Sequence, residues 1–529
     1  MTPLGKARNW SQSGRLHRAG VMGAGAIAVF GFAPFHIWGL TLVSLTLLFI
    51  RLVGVSTWER PGRAGFWTGL LFGLGWFSAS CFWIAAAFIE RGPAFIPMIP
   101  PLVGGLAIVL SLFWGFAGVV VARQSGLWRK ALVFVAVFTL AELARGHLLS
   151  GFPWNMAAYA FEPGGAMSQS ASLFGVYGLT MAAYSVAALA GMVVLTRNWR
   201  PALAAGAALV ALFSFGTLRL SGATQDVHPD VVLRLVAVPF RQSEKINRET
   251  SLGIVNAYLG VSVEPGIEAV THIVWPEGAV NGLATEDEAL LNYMGEQLAL
   301  RTDTPPVWLM SSLRREVGLD RNGVLKTRYY NSAVAVTFDA QGNPAIAGSN
   351  DKKKLVPFGE FIPGGELVER IGARLVSTAI ASITPTTEKR VSQFPGLPPI
   401  SPQICYEVIF PGLTPNGSVQ AEAILNQSND AWFGGTIGPA QHAAIARYRA
   451  IEEGMPLIRS AANGVSGVFN SYGRAERVLT GKRVGQLDTV LPVSIGQTVE
   501  MTRVNAVLAL INLVLFLLST IGMLRSKGR

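Results

Sequence analysis

The chain has 529 residues, half of them hydrophobic and only 14% charged, with a formal net charge of +11. That length and composition exclude a single soluble domain and indicate a membrane protein with something attached. The positive charge serves orientation, as its placement shows, and gives only weak support for a nucleic-acid partner.

The apolar residues fall in long blocks. In chain order they read "GVMGAGAIAVFGFAPF", "GLTLVSLTLLFI", "GFWTGLLFGLGWFSASCFWIAAAFI", "FIPMIPPLVGGLAIVLSLFWGFAGVVVA", "ALVFVAVFTLAELA", "AMSQSASLFGVYGLTMAAYSVAALAGMVVL" and "PALAAGAALVALFSFGTL". An eighth, "AVLALINLVLFLLSTIGML", follows a long gap. Each can supply the roughly 20 residues that cross a bilayer as a helix. The expectation is eight spans, seven before the gap and one after it. Lys6, Arg8, Arg15 and Arg18 precede the first block, and alternate loops carry Arg51, Arg60 and Arg63, then Arg123, Arg129 and Lys130, then Arg197 and Arg200. Arg525, Lys527 and Arg529 close the chain, whereas the intervening loops offer little beyond Arg91 and Arg145. Positive loops stay on the cytoplasmic side, so both termini are expected there and the gap segment on the far side. Reading the first block as a cleavable signal peptide would spoil this alternation, and "FAPFHIW" has no small-residue cleavage pattern.

Three parts are therefore expected: residues 1–220 with seven helices, 221–500 as a soluble domain, and 501–529 with the last helix and tail. The soluble part alternates β-rich runs ("VVLRLVAV", "THIVWPE", "PVWLMSS", "NSAVAVTF", "PQICYEVIF", "AEAILNQS", "LIRSAANGVSGVF") with helical patterns such as "ALLNYMGEQLALR" and "PAQHAAIARYRAIEEG". This is the grammar of an α/β domain large enough to bury its own core.

Two of its strands end in groups able to do chemistry. "THIVWPE" ends at Glu277 and "PQICYE" carries Cys405 near its end, and ligands of open α/β sheets bind beyond the carboxyl ends of strands. Taken singly, each candidate has a plainer reading. A cysteine in an apolar strand is more often a small buried hydrophobe, Lys352 to Lys354 can be a solvated turn, and Glu360 and Glu407 can be ion-pair partners. Pairing of Cys405 with Cys81 is not expected, because Cys81 lies inside a predicted span. The six histidines form no metal-ligand spacing, and no phosphate-binding glycine loop is present, so neither metal nor cofactor is expected.

Together the local settings are specific. "WPEGA", "KKKLVPFGEFIP", "ICYEVIFP" and "NDAWFGGTIGPAQH" resemble the signature segments of the nitrilase-like carbon-nitrogen hydrolase superfamily. "LVPFGEF", "SNDAWFG", "GPAQHAAIARYRAIE" and "RSAANG", with "GFAPF" at 31–35 and "GFPWN" at 151–155, resemble its membrane branch, the apolipoprotein N-acyltransferases. The resemblance implies a polytopic α-helical membrane protein with an inserted α/β/β/α sandwich. It implies a triad of Glu277 as base, Lys352 and Cys405 as nucleophile, with the register inside the lysine triplet its least direct step. Glu360, Tyr406, Glu407 and Trp432 of "NDAWFG" are then supporting or substrate-lining residues. One departure is "VAVPFRQSEKIN", where Ile246 falls near a position at which the family carries a Trp.

The implied activity moves an acyl chain from phosphatidylethanolamine or a similar phospholipid to the α-amino group of a diacylglyceryl-cysteine on an apolipoprotein. A Cys thioester is the expected intermediate, in the bacterial inner membrane with the catalytic domain in the periplasm. A thiolate attacks an ester well and leaves well, and a fixed lysine charge suits the tetrahedral oxyanion. Water must be kept from the thioester, which "PFGEFIPGGELVERIGARLV" and "NDAWFGG" could do by flanking the site. Two alternatives share the sequence features: a membrane-anchored amidase using water as acceptor, and a transporter with an inactive soluble domain, to which the intramembrane Glu142 and Arg145 lend some weight.

Overall fold

A computed structural model describes residues 14–526, apart from 224–225, 247, 320–322, 363–382 and 416. It divides into two compact units, one made of Met1–Ala223, Gly435–Glu452 and Thr498–Arg529, the other of Thr224–Gly434 and Glu453–Gln497.

The first unit is helical: α1 (Arg15–Ala26), α2 (Trp38–Val55), α3 (Pro61–Cys81), α4 (Ile84–Glu90), α5 (Gly105–Ala122), α6 (Leu127–His147), α7 (Ala171–Thr196) and α8 (Arg200–Ser221). Later in the chain, α11 (Gly438–Glu453) and α12 (Met501–Ser526) join them. Among the described residues, five segments are long and apolar enough to cross a membrane: Trp38–Val55, Pro93–Ala122, Met167–Thr196, Arg200–Ser221 and Met501–Ser519. Helices α3 and α4, bent by 48° at their junction, make a sixth if they form one span. Two of the eight expected spans do not reach that standard. Helix α1 has 12 residues before the chain tightens into a 3-10 turn at Ile27–Gly31, and α6 carries Arg129, Lys130, Glu142 and Arg145.

Glycine spacing explains how closely the helices pack. Gly65, Gly69 and Gly73 recur at four-residue intervals on α3, and a Cβ at Gly65 or Gly69 would lie 2.3 Å from the Gly118 carbonyl oxygen or 2.1 Å from that of Trp114 on α5. Only a residue without a side chain lets these backbones approach, a means of association suited to lipid, where apolar burial gives little drive. Buried polar groups then fix the geometry. Glu142 on α6 pairs with Arg145 and accepts from Trp114 Nε1 at 2.6 Å, while Arg145 Nη1 donates to the carbonyls of Phe152 and Trp154. The Arg145 contacts hold the 151–155 loop so that Trp154 Nε1 (2.9 Å), Asn155 Nδ2 (3.0 Å) and Trp83 Nε1 (3.2 Å) all donate to Gln441 Oε1 on α11. Further along α11, Glu452 accepts from the Val176 N–H at 2.7 Å. There α7 breaks at Phe174 and Gly175.

The second unit holds two sheets, ordered β11-β1-β2-β3-β4-β5 and β10-β9-β8-β7-β6. The first comprises β1 (Val227–Ala237), β2 (His272–Val274), β3 (Val307–Leu319), β4 (Leu325–Phe338), β5 (Pro344–Asp351) and β11 (Gly485–Pro492). The second comprises β6 (Ile400–Pro402), β7 (Ala423–Asn429), β8 (Leu457–Ala462), β9 (Val465–Phe469) and β10 (Leu479–Thr480). Strands β1, β2 and β3 run parallel, as do β6, β7 and β8. Alternation along the strands builds two cores. Leu233, Leu235, Val274, Leu309 and Ala335 meet Ile400, Leu425 and Ile458 between the sheets. Val236, Ile273, Trp275, Trp308, Met310 and Val334 point the other way, into a layer with Tyr258 and Leu259 of α9 (Arg248–Ser262) and Met294 and Leu298 of α10 (Glu288–Ala299).

Replacing Gly69 by Leu must force α3 and α5 apart, because the obstacle is backbone. The full chain in detergent is expected to lose at least about 1–3 kcal/mol of stability, read as a lower melting temperature. An unchanged melting temperature would contradict this packing.

Candidate active site

Strand β2 is fully buried, and the chain leaves it through Trp275 and Pro276 to present Glu277 at its carboxyl end. Glu277 Oε1 accepts from Asn331 Nδ2 of β4 at 2.7 Å, and Oε2 accepts from the Asn429 N–H at the end of β7 at 3.1 Å. Strand β5 ends at Asp351, so Lys352 follows directly. Its ammonium is buried, 2.8 Å from Glu360 Oε1 and 3.6 Å from Glu277 Oε1. Glu360 is itself held by Asn331 Nδ2 at 3.1 Å and the Val356 N–H at 2.8 Å. Of the three adjacent lysines, Lys352 alone is buried against carboxylates of β2 and the 356–360 turn. Lys353 is exposed, and the Lys354 ammonium sits 5.0 Å from the centre of the Phe410 ring.

Cys405 lies three residues beyond β6, at the head of a 3-10 turn spanning Cys405–Ile409, and is buried with Ala333 and Ile404. Its φ of +48° is left-handed, a conformation that costs a residue with a side chain of order 1 kcal/mol and persists only where the surroundings impose it. Glu407, two residues on, supplies that constraint: Oε2 accepts from the Ile404 N–H at 2.8 Å, and Oε1 from the N–H groups of Lys353 (2.8 Å) and Lys354 (3.2 Å). Tyr406 stacks edge-on against Phe410 at 5.1 Å, and the half-buried Trp432 sits in the 3-10 turn Asp430–Phe433 that follows β7.

The electrostatics are asymmetric. Burial pushes the Cys405 thiol well up and the Glu277 charge pushes it further, while Lys352 pulls it down; Asp430 adds to the rise and the Asn429 N–H opposes it. Burial alone would lower the Lys352 ammonium, but Glu360, Glu277 and Cys405 together outweigh it and hold the group above its ordinary value. The resting site is thus a neutral thiol beside a permanent cation and two carboxylates. Such a set can move a proton off sulfur and stabilise an oxyanion.

Two site residues carried no signal in the sequence. Lys389 is buried in an ion pair with Glu407, 2.7 Å apart. Lys245 lies in the 3-10 turn Gln242–Ile246, its amine 5.0 Å from the Phe240 ring centre; burial pushes it down to about 8 against the opposing pull of Glu277. The side chain of Ile246 and most of the expected flanking segment, 363–382, lie outside the described residues. Among the described residues no three His, Cys, Asp or Glu side chains cluster as metal ligands.

Residues 24–189 match the family described as the apolipoprotein N-acyltransferase N-terminal domain, and residues 262–481 match carbon-nitrogen hydrolase. Proteins named apolipoprotein N-acyltransferase align over nearly the whole chain. That of Caulobacter vibrioides is 35% identical over 463 residues, 85% of this chain and 84% of that protein. Those of Agrobacterium fabrum and Rhodopseudomonas palustris are 34% and 32% identical, covering 88% and 90% of this chain and 88% and 89% of theirs. The chain belongs to the apolipoprotein N-acyltransferase family. It is an acyltransferase, which decides against the amidase and the transporter. In this chain the N-terminal match precedes the carbon-nitrogen hydrolase match, and the latter contains Glu277, Lys352 and Cys405.

The Lys245 amine provides a check on the site's electrostatics. Labelling with an amine-reactive reagent, followed by mass spectrometry across a pH series, is expected to give a midpoint near 8 at Lys245, against about 10.4 for ordinary lysines. Glu277→Gln removes a negative charge and should move that midpoint lower; no movement would separate Lys245 from Glu277.

Proposed function

We propose that this acyltransferase moves a fatty acyl chain from a phospholipid, phosphatidylethanolamine or one like it, to the α-amino group of a diacylglyceryl-cysteine at the N-terminus of an apolipoprotein. The observation that carries this reading is the meeting of Glu277, Lys352 and Glu360 beside a buried Cys405, in a chain whose relatives carry the apolipoprotein N-acyltransferase name. Cys405 Sγ attacks the donor's ester carbonyl carbon while Glu277 takes the thiol proton. The Lys352 ammonium stabilises the resulting oxyanion. When the C–O bond breaks, Glu277 returns the proton to the leaving alkoxide, releasing a lysophospholipid and leaving a thioester on Cys405. The acceptor amine then attacks the thioester carbon, gives its proton to Glu277, and expels the thiolate, which recovers a proton. Glu360 keeps Lys352 aimed, and Tyr406, Glu407 and Trp432 brace or line the substrate site.

The same reading gives the chain eight spans, adding α1 and α6 to the six apolar segments. Helix α6 is 21 residues long, enough to cross, and its Glu142 and Arg145 neutralise each other internally. Residues 1–220 and 501–529 are then the membrane part of a bacterial inner-membrane protein with both termini in the cytoplasm, and residues 221–500 the periplasmic catalytic domain. Protease added to intact spheroplasts should cut within 221–500. Complete protection there, with cutting only in inverted vesicles, would reverse the topology.

Intact-protein mass spectrometry tests the chemistry. The wild type incubated with phospholipid should carry an acyl mass released by hydroxylamine. Cys405→Ser should carry none and fail to acylate a diacylated lipopeptide, and Glu277→Gln should load on the order of 10²–10⁴-fold more slowly. Cys81→Ser should remain active. Full turnover in Cys405→Ser would end the thioester mechanism.

A further inference from the structure

The carboxylate of Glu407 joins the two segments that carry the proposed nucleophile and cation. One oxygen takes the Ile404 N–H, which precedes Cys405, and the other takes the N–H groups of Lys353 and Lys354, which follow Lys352. Both oxygens are thus engaged with backbone, yet Glu407 is fully buried. A bare carboxylate in such a place needs a counter-charge. The ammonium of Lys389 provides it, 2.7 Å from Oε2, with a side chain only 3% exposed. Lys389 also reaches the carbonyl of Asp351 at 3.4 Å. Its backbone neighbours are tied to the same strand end: the Thr386 N–H donates to the Lys352 carbonyl at 3.0 Å, and Asn350 Nδ2 donates to the Arg390 carbonyl at 2.8 Å.

We propose that Lys389 is a positioning residue: by pairing with the buried Glu407 carboxylate, it lets that one side chain clamp the Cys405 turn and the Lys352–Lys354 segment in mutual register. This rests on the acyl-enzyme reading above for its catalytic meaning, though the clamp itself does not. Without Lys389, the buried Glu407 carboxylate loses its counter-charge, and an unpaired buried charge is strongly disfavoured. Relief comes as the carboxylate swings toward water, and one of the two segments is released. The remaining charged groups around the pair are the ammoniums of Lys354 and Lys352 and the carboxylate of Asp351. Lys354 also acts on Glu407, but lies half-exposed over the Phe410 ring and makes no ion pair with it within 4 Å among the described residues. It is too screened to replace a buried contact.

The test uses the full chain in detergent with Cys81→Ser, leaving Cys405 as the single thiol. Two quantities are followed at pH 7: lipopeptide acylation, and the rate at which a small alkylating reagent modifies Cys405. Lys389→Met is expected to acylate about 10²-fold more slowly than its parent, the scale of an ångström-sized misplacement, and to alkylate at a rate shifted from the parent's as the turn that presents the thiol is let go. Lys389→Arg, which keeps the charge, should restore both quantities to the parent's values. Lys389→Met combined with Glu407→Gln should stay slow, because an amide cannot accept on both sides, and this variant also serves if Lys389→Met does not fold. Parent-like acylation in Lys389→Met or in the double variant would overturn the inference. Should the parent acylate lipopeptide without any thioester, the alkylation rates still test the clamp, and only the mechanism fails.

Discussion

The site depends on one buried ammonium. Lys352 sits where burial alone would strip its charge, and it stays charged because Glu360 and Glu277 face it at 2.8 and 3.6 Å. A single carboxylate would leave a neutral pair with little reach; two leave net negative charge that the backbone and amides must absorb. Asn331 does part of this by donating to Glu277 and Glu360 with the same amide nitrogen, and the N–H groups of Val356 and Asn429 take the outer oxygens. The positions of β2, β4, β5 and β7 are therefore linked through the lysine. Each strand brings one group that the others need.

That arrangement sets the chemical state of Cys405. Its thiol is pushed up by burial and by Glu277, and Lys352 only partly offsets them. In the proposed mechanism Cys405 is kept neutral until a carbonyl arrives to share the charge. A thiol that ionises only in the presence of an acyl group is a poor target for chance oxidants, which matters for a protein whose catalytic domain faces an oxidising compartment in the proposed topology.

The same device recurs beyond Lys352. In the sheet unit, Arg234 pairs with its cross-strand partner Asp488 at 2.6 Å and caps the end of α9 through the carbonyls of Ser262, Glu264 and Pro265. Arg459 pairs with Asp430 at 2.8 Å under the turn that carries Trp432. In the helical unit, Arg145 with Glu142 and Arg449 with Glu452 pin loop backbone and a helix break. Isolated buried pairs add little net stability, but pairs that also satisfy backbone groups specify one geometry, because no other arrangement leaves those groups bonded.

How much of this was legible in the sequence depended on the range of the interaction. Apolar runs, strand alternation and the segments around Glu277, Lys352 and Cys405 are local patterns, and local patterns survive in one dimension. The span count was less legible because α1 is short and α6 carries four charges, and whether charges can lie within a helix bundle depends on partners such as Trp114 and the 152–154 carbonyls, distant in the chain. Helix α11 reads as part of the α/β segment, yet groups with the membrane helices, since Gln441 finds its donors more than 280 residues away in Trp154 and Asn155. Lys389 resembled any loop lysine. What the sequence determined by itself was which residues could react, because reactivity belongs to side-chain type and local setting. Which lysine is buried between carboxylates, what holds Cys405 at a left-handed φ, and which cation pairs with Glu407 were decided only by tertiary structure, because burial and counter-charge exist only once distant segments have met.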